Sequence, residues 1–313
     1  MSSLLPVGQP GGVLVIKLGA LGDFVQTIGP FAAIRRHHKD QPITLLTTKP
    51  FEDIARASGL FDDVWTDGRP GGSDLSGWLR LRRWLLGGGF GRVYDLQTSD
   101  RSSFYFRMFW PGPKPEWSGI ARGCSHPHAN PDRDTMHTVE RQAEQLEMAG
   151  ISDVAPSDLS WAKADVSRFG LNGRYVLLAP GGAQHRQAKR WPADCFAEVA
   201  VALVERDIAP VLLGSAAESD LMAGIKAKCS EAVDLSGQTS LLDLVELGRD
   251  AVAAIGNDTG PMHLIAAVGC KSVVLFSEDS DPALCAQRGP AVTILRRQPL
   301  SGLSSQDVLE ELD

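Results

Sequence analysis

Three segments of this chain combine glycines with charged or hydroxyl side chains, and each follows a short apolar run. The most specific of them, residues 256–263, reads Gly-Asn-Asp-Thr-Gly-Pro-Met-His. Pro261 suits the first turn of a helix, where free N–H groups and the helix dipole attract anions such as phosphate. This segment therefore predicts a phosphate-binding turn. The alternative is ordinary turn and cap chemistry, with His263 as a buried helix histidine.

The second segment, residues 180–192, places Arg186, Lys189 and Arg190 directly after a Pro-Gly-Gly turn. Backbone N–H groups and a nearby cation suit a diphosphate. A solvated basic loop is the alternative. We favour a ligand site because these cations gather, in an acidic chain, where an α/β sheet presents its ligands.

The third segment lies nearest the N-terminus, at residues 17–23. It reads Lys-Leu-Gly-Ala-Leu-Gly-Asp and ends in Asp23. It is either a ligand-facing turn or a plain turn in which Asp23 caps the next helix. Its spacing does not match G-x-G-x-x-G, so a dinucleotide fingerprint is unsupported. The chain also lacks a P-loop and G-x-S-x-G, which argues against Walker-type NTPases and α/β-hydrolases.

Short β-branched runs alternate with helix-period segments along the chain, which predicts parallel sheets covered by helices. We expect two doubly wound α/β domains, residues 1–160 and 161–313, with a ligand in the crevice between them. A helix that begins after residue 20 should bend at Pro30, and the polar stretch 111–134 should be irregular. Strands are predicted at 13–16, 43–47, 64–66, 93–96, 175–178, 210–213, 232–235, 251–255 and 272–276.

Composition sets limits on partners and compartment. The 313 residues are 43% hydrophobic and carry a net charge of −7, which supports two ordinary cores and disfavours nucleic acid as a partner. Five scattered cysteines predict neither disulfides nor a metal site, and Cys124, His126 and His128 lack zinc spacing. Without a signal peptide or a spanning segment, the expected location is the cytoplasm.

Taken together, the motifs resemble glycosyltransferase family 9, the ADP-heptose:lipopolysaccharide heptosyltransferases. The resemblance extends over nearly the whole chain, and the Asn-Asp-Thr-Gly-Pro-Met-His segment is its most specific part. The other matching segments are Val15 to Asp23, Asp95 to Gln97 with Arg101 and Ser102, His137 to Gly150, Lys189 to Pro192, and Gly214 with Glu218.

The resemblance implies a GT-B fold with two Rossmann-like domains facing across a cleft, and an inverting transfer that needs neither metal nor cofactor. Asp23 matches the family's general base. The donor, ADP-heptose by resemblance, would bind the C-terminal domain, and the lipid-linked, anionic glycan acceptor would bind the N-terminal domain. Donor-binding residues are then Gly182, Gln184, Lys189, Glu218, Asp258, Thr259, Gly260 and His263, and acceptor-binding residues are Gly22, Gln97 and Arg101.

Two other functions stay open at this stage. A nucleotide-sugar epimerase would use the same diphosphate site without an acceptor, and a non-catalytic binding protein would hold the ligand without turnover. The chain departs from better-known members at Leu18-Gly19-Ala20, Gln184 and Pro261, so the identities of donor and acceptor stay open. Peripheral contact with the inner face of the inner membrane stays open as well.

Overall fold

The computed structural model describes residues 11–182 and 186–313. The chain divides into two compact units, Met1–Ser157 and Asp158–Asp313. Each unit has one parallel sheet of six strands among its described residues. None of the described helices is both long and apolar enough to cross a bilayer.

The first sheet has the strand order β3-β2-β1-β4-β5-β6. From β1 the chain moves outward through β2 and β3, and it then returns to build β4, β5 and β6 on the other side. The central strand β1 is entirely buried, as its apolar sequence predicts. The strands are β1 Gly12–Ile16, β2 Ile43–Thr47, β3 Asp63–Thr66, β4 Phe90–Asp95, β5 Glu116–Gly119 and β6 His126–Pro127.

The second sheet repeats this pattern with the order β12-β11-β10-β7-β8-β9. Its central strands β7, β10 and β11 are buried along their whole length. The strands are β7 Tyr175–Ala179, β8 Ala209–Leu212, β9 Val233–Asp234, β10 Ala253–Asn257, β11 Ser272–Phe276 and β12 Val292–Arg296.

Helices connect the strands of each unit. Those of the first unit are α1 Leu21–Gln26, α2 Ile28–His37, α3 Glu52–Ala57, α4 Leu75–Gly87, α5 Asp100–Arg107 and α6 Thr138–Glu147. Those of the second unit are α7 Ala193–Glu205, α8 Ser219–Lys226, α9 Leu241–Asp250, α10 Gly260–Ala267, α11 Pro282–Cys285 and α12 Ser305–Glu310.

The structure differs from the predicted elements at the first helix and in the stretch 111–134, and it adds elements that the sequence analysis did not predict, among them α5 and β12. The first helix breaks at Thr27 rather than bending at Pro30, because Pro30 lies in the first turn of α2, where a missing N–H is tolerated. The stretch 111–134 is not wholly irregular: it contributes β5 and β6, the two outer strands on one side of the first sheet.

Both sheets reverse their strand order next to their first strand, between β1 and β4 and between β7 and β10. Ligands of doubly wound sheets bind beyond the carboxyl ends of the strands at such a switch point. The segments that the sequence singled out leave β1, β7 and β10 at these ends. The fold therefore places them where α/β proteins bind ligands.

Candidate functional site

In the second unit, Lys189 and Asp258 form a largely buried ion pair. The Nζ atom of Lys189 donates to Oδ2 of Asp258 at 2.8 Å and to Oγ of Ser280 at 2.8 Å. The Asp258 carboxylate also accepts from Ser280 Oγ at 2.6 Å and from Gln287 Nε2 at 3.1 Å. The Asp258 carboxylate thus anchors the lysine. The backbone N–H of Asp258 donates to Leu275 O.

Electrostatics keep Asp258 ionised. Burial raises the pKa of its carboxyl, but the hydrogen bonds from Lys189 and Ser280 outweigh burial and hold the pKa below its ordinary value. The lysine therefore keeps a fixed counter-ion and a fixed position. A cation held in this way can meet an anionic ligand without first being ordered.

The same turn begins α10. Thr259 is the N-cap residue, Gly260 and Pro261 open the first turn, and the first N–H groups of a helix have no partner within it. The Thr259 hydroxyl is buried, yet it has no hydrogen-bond partner among the described residues. Buried hydroxyls are nearly always paired, so this one is available for a hydrogen bond. His263 is buried further along α10.

Glu218 connects the turns that follow β7 and β8. Its carboxylate accepts from the N–H of Gly182 at 2.8 Å, from the N–H of Ser215 at 2.8 Å and from Ser215 Oγ at 2.8 Å. Burial raises the pKa of Glu218, but these hydrogen bonds reverse the effect and lower it. Gly181 permits this approach, because a Cβ there would lie 2.1 Å from Glu218 Oε1.

Asn257, which the sequence analysis did not assign to the site, connects the end of β10 to the loop that follows β7. Its side chain donates to the carbonyls of Pro180 and Gly181 at 2.7 and 3.1 Å and accepts from the N–H of Trp191 at 3.0 Å. Asn257 is fully buried at the end of β10. The feature of the sequence that could have indicated this role is an asparagine at the end of an otherwise apolar strand.

The structure thus brings five predicted donor residues into one connected set: Gly182, Lys189, Glu218, Asp258 and Thr259. It adds Asn257, Ser280 and Gln287, and Arg190 joins through a hydrogen bond to Gly182 O. Gln184 lies outside the described residues. Among the residues that are described, no group of His, Cys, Asp and Glu is arranged to hold a metal.

In the first unit, Asp23 lies half-buried in the first turn of α1. Its carboxylate makes no hydrogen bond within the described ranges 11–182 and 186–313. Arg141 is a half-buried cation that interacts with Asp23: burial and Arg133 lower the pKa of Arg141, and the negative charge of Asp23 opposes them. A carboxylate without a structural partner is available to accept a proton.

The loop that leads to Asp23 is held from several sides. Gln97 Oε1 accepts from the N–H of Leu18 at 2.8 Å, and Arg69 Nη2 donates to Leu18 O at 2.7 Å. Gly19 has a φ of +129°, and a Cβ there would lie 3.1 Å from the Phe51 ring, so a side chain would be strained. Gly22 is buried in α1.

Arg101, predicted to meet the acceptor, lies in the first turn of α5. Its Nη2 donates to Pro70 O at 3.2 Å, and its guanidinium lies 5.2 Å from the centre of the Trp78 ring. The other terminal nitrogen, Nη1, is buried without a partner among the described residues. The predicted acceptor residue Gln97 therefore contacts the loop that leads to Asp23. Arg101 contacts the connection between β3 and α4.

The family is decided by a match that covers most of the chain: residues 78–311 fit the model of glycosyltransferase family 9, described as heptosyltransferase. The chain belongs to glycosyltransferase family 9.

Curated relatives agree with this family 9 assignment. Lipooligosaccharide heptosyltransferase 2 of Haemophilus influenzae is 32% identical over 131 residues, which are 40% of this chain and 38% of the relative. The chain therefore matches well under half the length of that relative.

The family 9 chain also shares its fold with solved heptosyltransferases. The E. coli ADP-heptose lps heptosyltransferase II has a TM-score of 0.78 at 22% identity, covering 96% of this chain and 97% of that one. E. coli heptosyltransferase WaaC with ADP has a TM-score of 0.76 at 19% identity, covering 96% and 99%. The GT-B fold predicted from the resemblance is confirmed.

Two buried ionisable groups near the loop that carries Asp23 were not assigned to the site by the sequence analysis. Lys17 donates from Nζ to Leu96 O at 3.1 Å, and burial lowers its pKa, although Asp23 acts in the opposite direction. Asp95 is fully buried, and burial raises its pKa to about 6 despite hydrogen bonds from Ser102 and from the N–H groups of Thr98 and Gln97. Strand ends next to functional loops are where such charges can be retained.

The raised pKa of Asp95 predicts a pH-dependent contribution to stability. In the unfolded chain this carboxyl has its ordinary pKa of 3.8, against about 6 in the fold, so folding favours its protonated form. Its contribution is fully present below pH 3.8 and is lost as the pH rises through about 6. The difference amounts to at most about 3 kcal/mol.

Asp95→Asn, which cannot ionise, is expected to gain up to about 3 kcal/mol of unfolding free energy relative to the unsubstituted protein between about pH 4 and pH 7. Its Oδ1 can still accept the N–H groups of Gln97 and Thr98. Thermal unfolding of both proteins at the two pH values measures this gain. A difference that does not change with pH would contradict the buried ionisation.

Proposed function

We propose that this chain is an inverting glycosyltransferase that moves a heptose from ADP-heptose onto an anionic acceptor of the lipopolysaccharide-core type. One observation carries the proposal. The Lys189 ammonium is fixed by Asp258 beside the N-terminus of α10, where the buried Thr259 hydroxyl has no partner among the described residues. A cation, helix N–H groups and a free hydroxyl together suit a diphosphate.

The choice of donor draws on the solved relatives. One is described as an ADP-heptose heptosyltransferase and another was solved with ADP. In our proposal the diphosphate lies against the Lys189 ammonium and the first turn of α10. Gly182, Glu218 and Gly260 border the donor, Gln184 and His263 stay predicted donor residues, and Asp258 acts through Lys189.

The reaction we propose is a single displacement. The acceptor hydroxyl attacks the anomeric carbon, its proton passes to the Asp23 carboxylate, and the bond from that carbon to the phosphate oxygen breaks with inversion. The leaving ADP gains negative charge in the transition state, and Lys189 with the α10 N-terminus stabilises it. Gly22, Gln97 and Arg101 would shape the acceptor side.

The names of the curated relatives support the acceptor class. They are lipooligosaccharide and lipopolysaccharide heptosyltransferases, so we propose a lipid-linked glycan with anionic groups as acceptor and the cytoplasm as the place of the reaction. Half-buried Arg101, with a buried and unpartnered nitrogen among the described residues, is the cation we expect to meet that acceptor.

The proposal is tested by incubating the purified chain with ADP-heptose and a lipopolysaccharide-core acceptor. We expect ADP release that depends on the acceptor, and a glycoside whose anomeric configuration is opposite to that of the donor. UDP- and GDP-sugars should give much less product. An epimer formed from donor alone would identify an epimerase, and ADP-heptose binding without product would identify a binding protein; either result would refute the proposal.

A further inference from the structure

Exposed large apolar side chains are concentrated in one part of the first unit. Of the eight that are found among the described residues, five lie between residues 75 and 110, and the others are Met148, Val201 and Val252. Leu75, Trp110 and Leu79 are the most exposed, at 73%, 72% and 62%. Isolated exposed apolar residues are normal, whereas a cluster marks an interaction site.

Three of these side chains form a stripe on α4. Leu75, Leu79 and Leu86 are spaced by four and seven residues, which places them on one side of a helix. Leu81 and Leu85 are buried in the core of the unit, on a different side of α4. The exposed stripe is therefore not part of the core of this unit.

The other two side chains lie beside this stripe. The Phe104 ring of α5 packs edge-on against Trp78 of α4, with ring centres 5.3 Å apart. Arg82 Nη2 donates to Trp110 O at 3.0 Å, which ties the turn after α5 to α4. The five exposed residues thus form one surface, which we call the α4–α5 surface: Leu75, Leu79, Leu86, Phe104 and Trp110.

The charge of this region is opposite to that of the whole chain. Residues 75–114 contain seven Lys or Arg and two Asp, whereas the complete chain carries a net charge of −7. Within α4 there are three arginines and no acidic residue. Arg80, Arg83, Arg107 and Lys114 are exposed.

We propose that the α4–α5 surface docks on a bilayer that contains anionic phospholipids. Leucine and tryptophan side chains flanked by arginines are the composition of helices that lie in the plane of a membrane interface. The apolar side chains would enter the boundary between headgroups and acyl chains, and the cations would lie at the phosphates. The inference does not depend on the donor site.

The test is co-sedimentation of the purified chain, without donor or acceptor, with vesicles of phosphatidylcholine that contain or lack phosphatidylglycerol. We expect binding to the anionic vesicles that weakens as salt rises. Arg80→Gln combined with Arg83→Gln should weaken it by about 25-fold, since each cation near the surface contributes about 5-fold. Leu75→Ser, Leu79→Ser and Trp110→Ser together should weaken it by at least about 10-fold.

Matched controls substitute equal numbers of exposed residues elsewhere in the chain. Met148→Ser with Val201→Ser and Val252→Ser matches the apolar variant, and Lys39→Gln with Lys226→Gln matches the arginine variant. These should bind vesicles as the unsubstituted protein does. All variants are checked by thermal unfolding and by ADP binding, which reports on the second unit. Equal binding to neutral vesicles, equal losses in the controls, or self-association that only the surface variants abolish would each overturn the proposal.

Discussion

Asp23→Asn is expected to lower the rate of sugar transfer by about 10²- to 10⁴-fold and to leave ADP affinity within about twofold of its original value. Asparagine keeps the shape of the side chain but cannot take the acceptor proton. Within the described residues the Asp23 carboxylate has no hydrogen-bond partner, so the substitution breaks no structural contact there. Initial rates at saturating donor and acceptor, together with calorimetric titration of ADP, measure the two effects.

Asp53→Asn is the matched control for this substitution. Asp53 also lies in the first turn of a helix of the first unit, and it is exposed. We expect its variant to transfer sugar at the original rate. If Asp23→Asn instead lost ADP affinity while transfer persisted, Asp23 would not be the general base, although the diphosphate site in the second unit would still stand.

The parallel sheets could be predicted because their central strands are short, apolar and followed by glycine-rich turns. The predicted strand 43–47 agrees with β2, and 272–276 agrees with β11. Outer strands were harder: β6 has two residues and β5 begins with an exposed Glu116. Such strands form because a neighbouring edge offers hydrogen bonds, and periodicity does not record that edge.

Helix α5 shows a second limit of what the sequence could predict. Residues 100–107 have few apolar positions at helical spacing, but Ser99 and Ser102 form a capping box, and the buried Tyr105 and Phe106 pack into the core. This Ser-x-x-Ser pair does not match the usual Ser/Thr-x-x-Glu/Gln capping signature, so the cap could not be read from the sequence. The burial of Tyr105 could not be read either, since it depends on elements distant in the chain.

That the predicted donor residues of the second unit lie together could be predicted, because they follow parallel strands whose carboxyl ends share one edge of the sheet. Their individual tasks could not be. Asp258 was predicted to contact the diphosphate, yet its carboxylate is occupied by Lys189, Ser280 and Gln287. Ser280 and Gln287 come from loops beyond β11, and only tertiary structure brings them to Asp258. The role of Asp258 as a direct phosphate contact stays a prediction.

Lys189→Met is expected to weaken ADP binding and to lower the rate of transfer at saturating donor by about 10²- to 10³-fold. Methionine retains most of the side-chain volume but removes the charge that would oppose the departing diphosphate. It also leaves the Asp258 carboxylate, of which 9% is exposed, without its cation, so a negative charge would face an anionic ligand. ADP titration and single-turnover rates separate the two losses, and Lys226→Met in the exposed last turn of α8 is the control.

A double-mutant cycle tests whether Asp258 acts through Lys189. Asp258→Asn alone should weaken ADP binding less than Lys189→Met, because the ammonium remains but loses its anchor. In the Lys189→Met background the same substitution should be neutral or should partly restore ADP binding, since it removes the uncompensated carboxylate. Additive losses would mean that Asp258 supports ADP binding independently of Lys189. Full ADP affinity and full transfer in Lys189→Met would place the diphosphate away from α10.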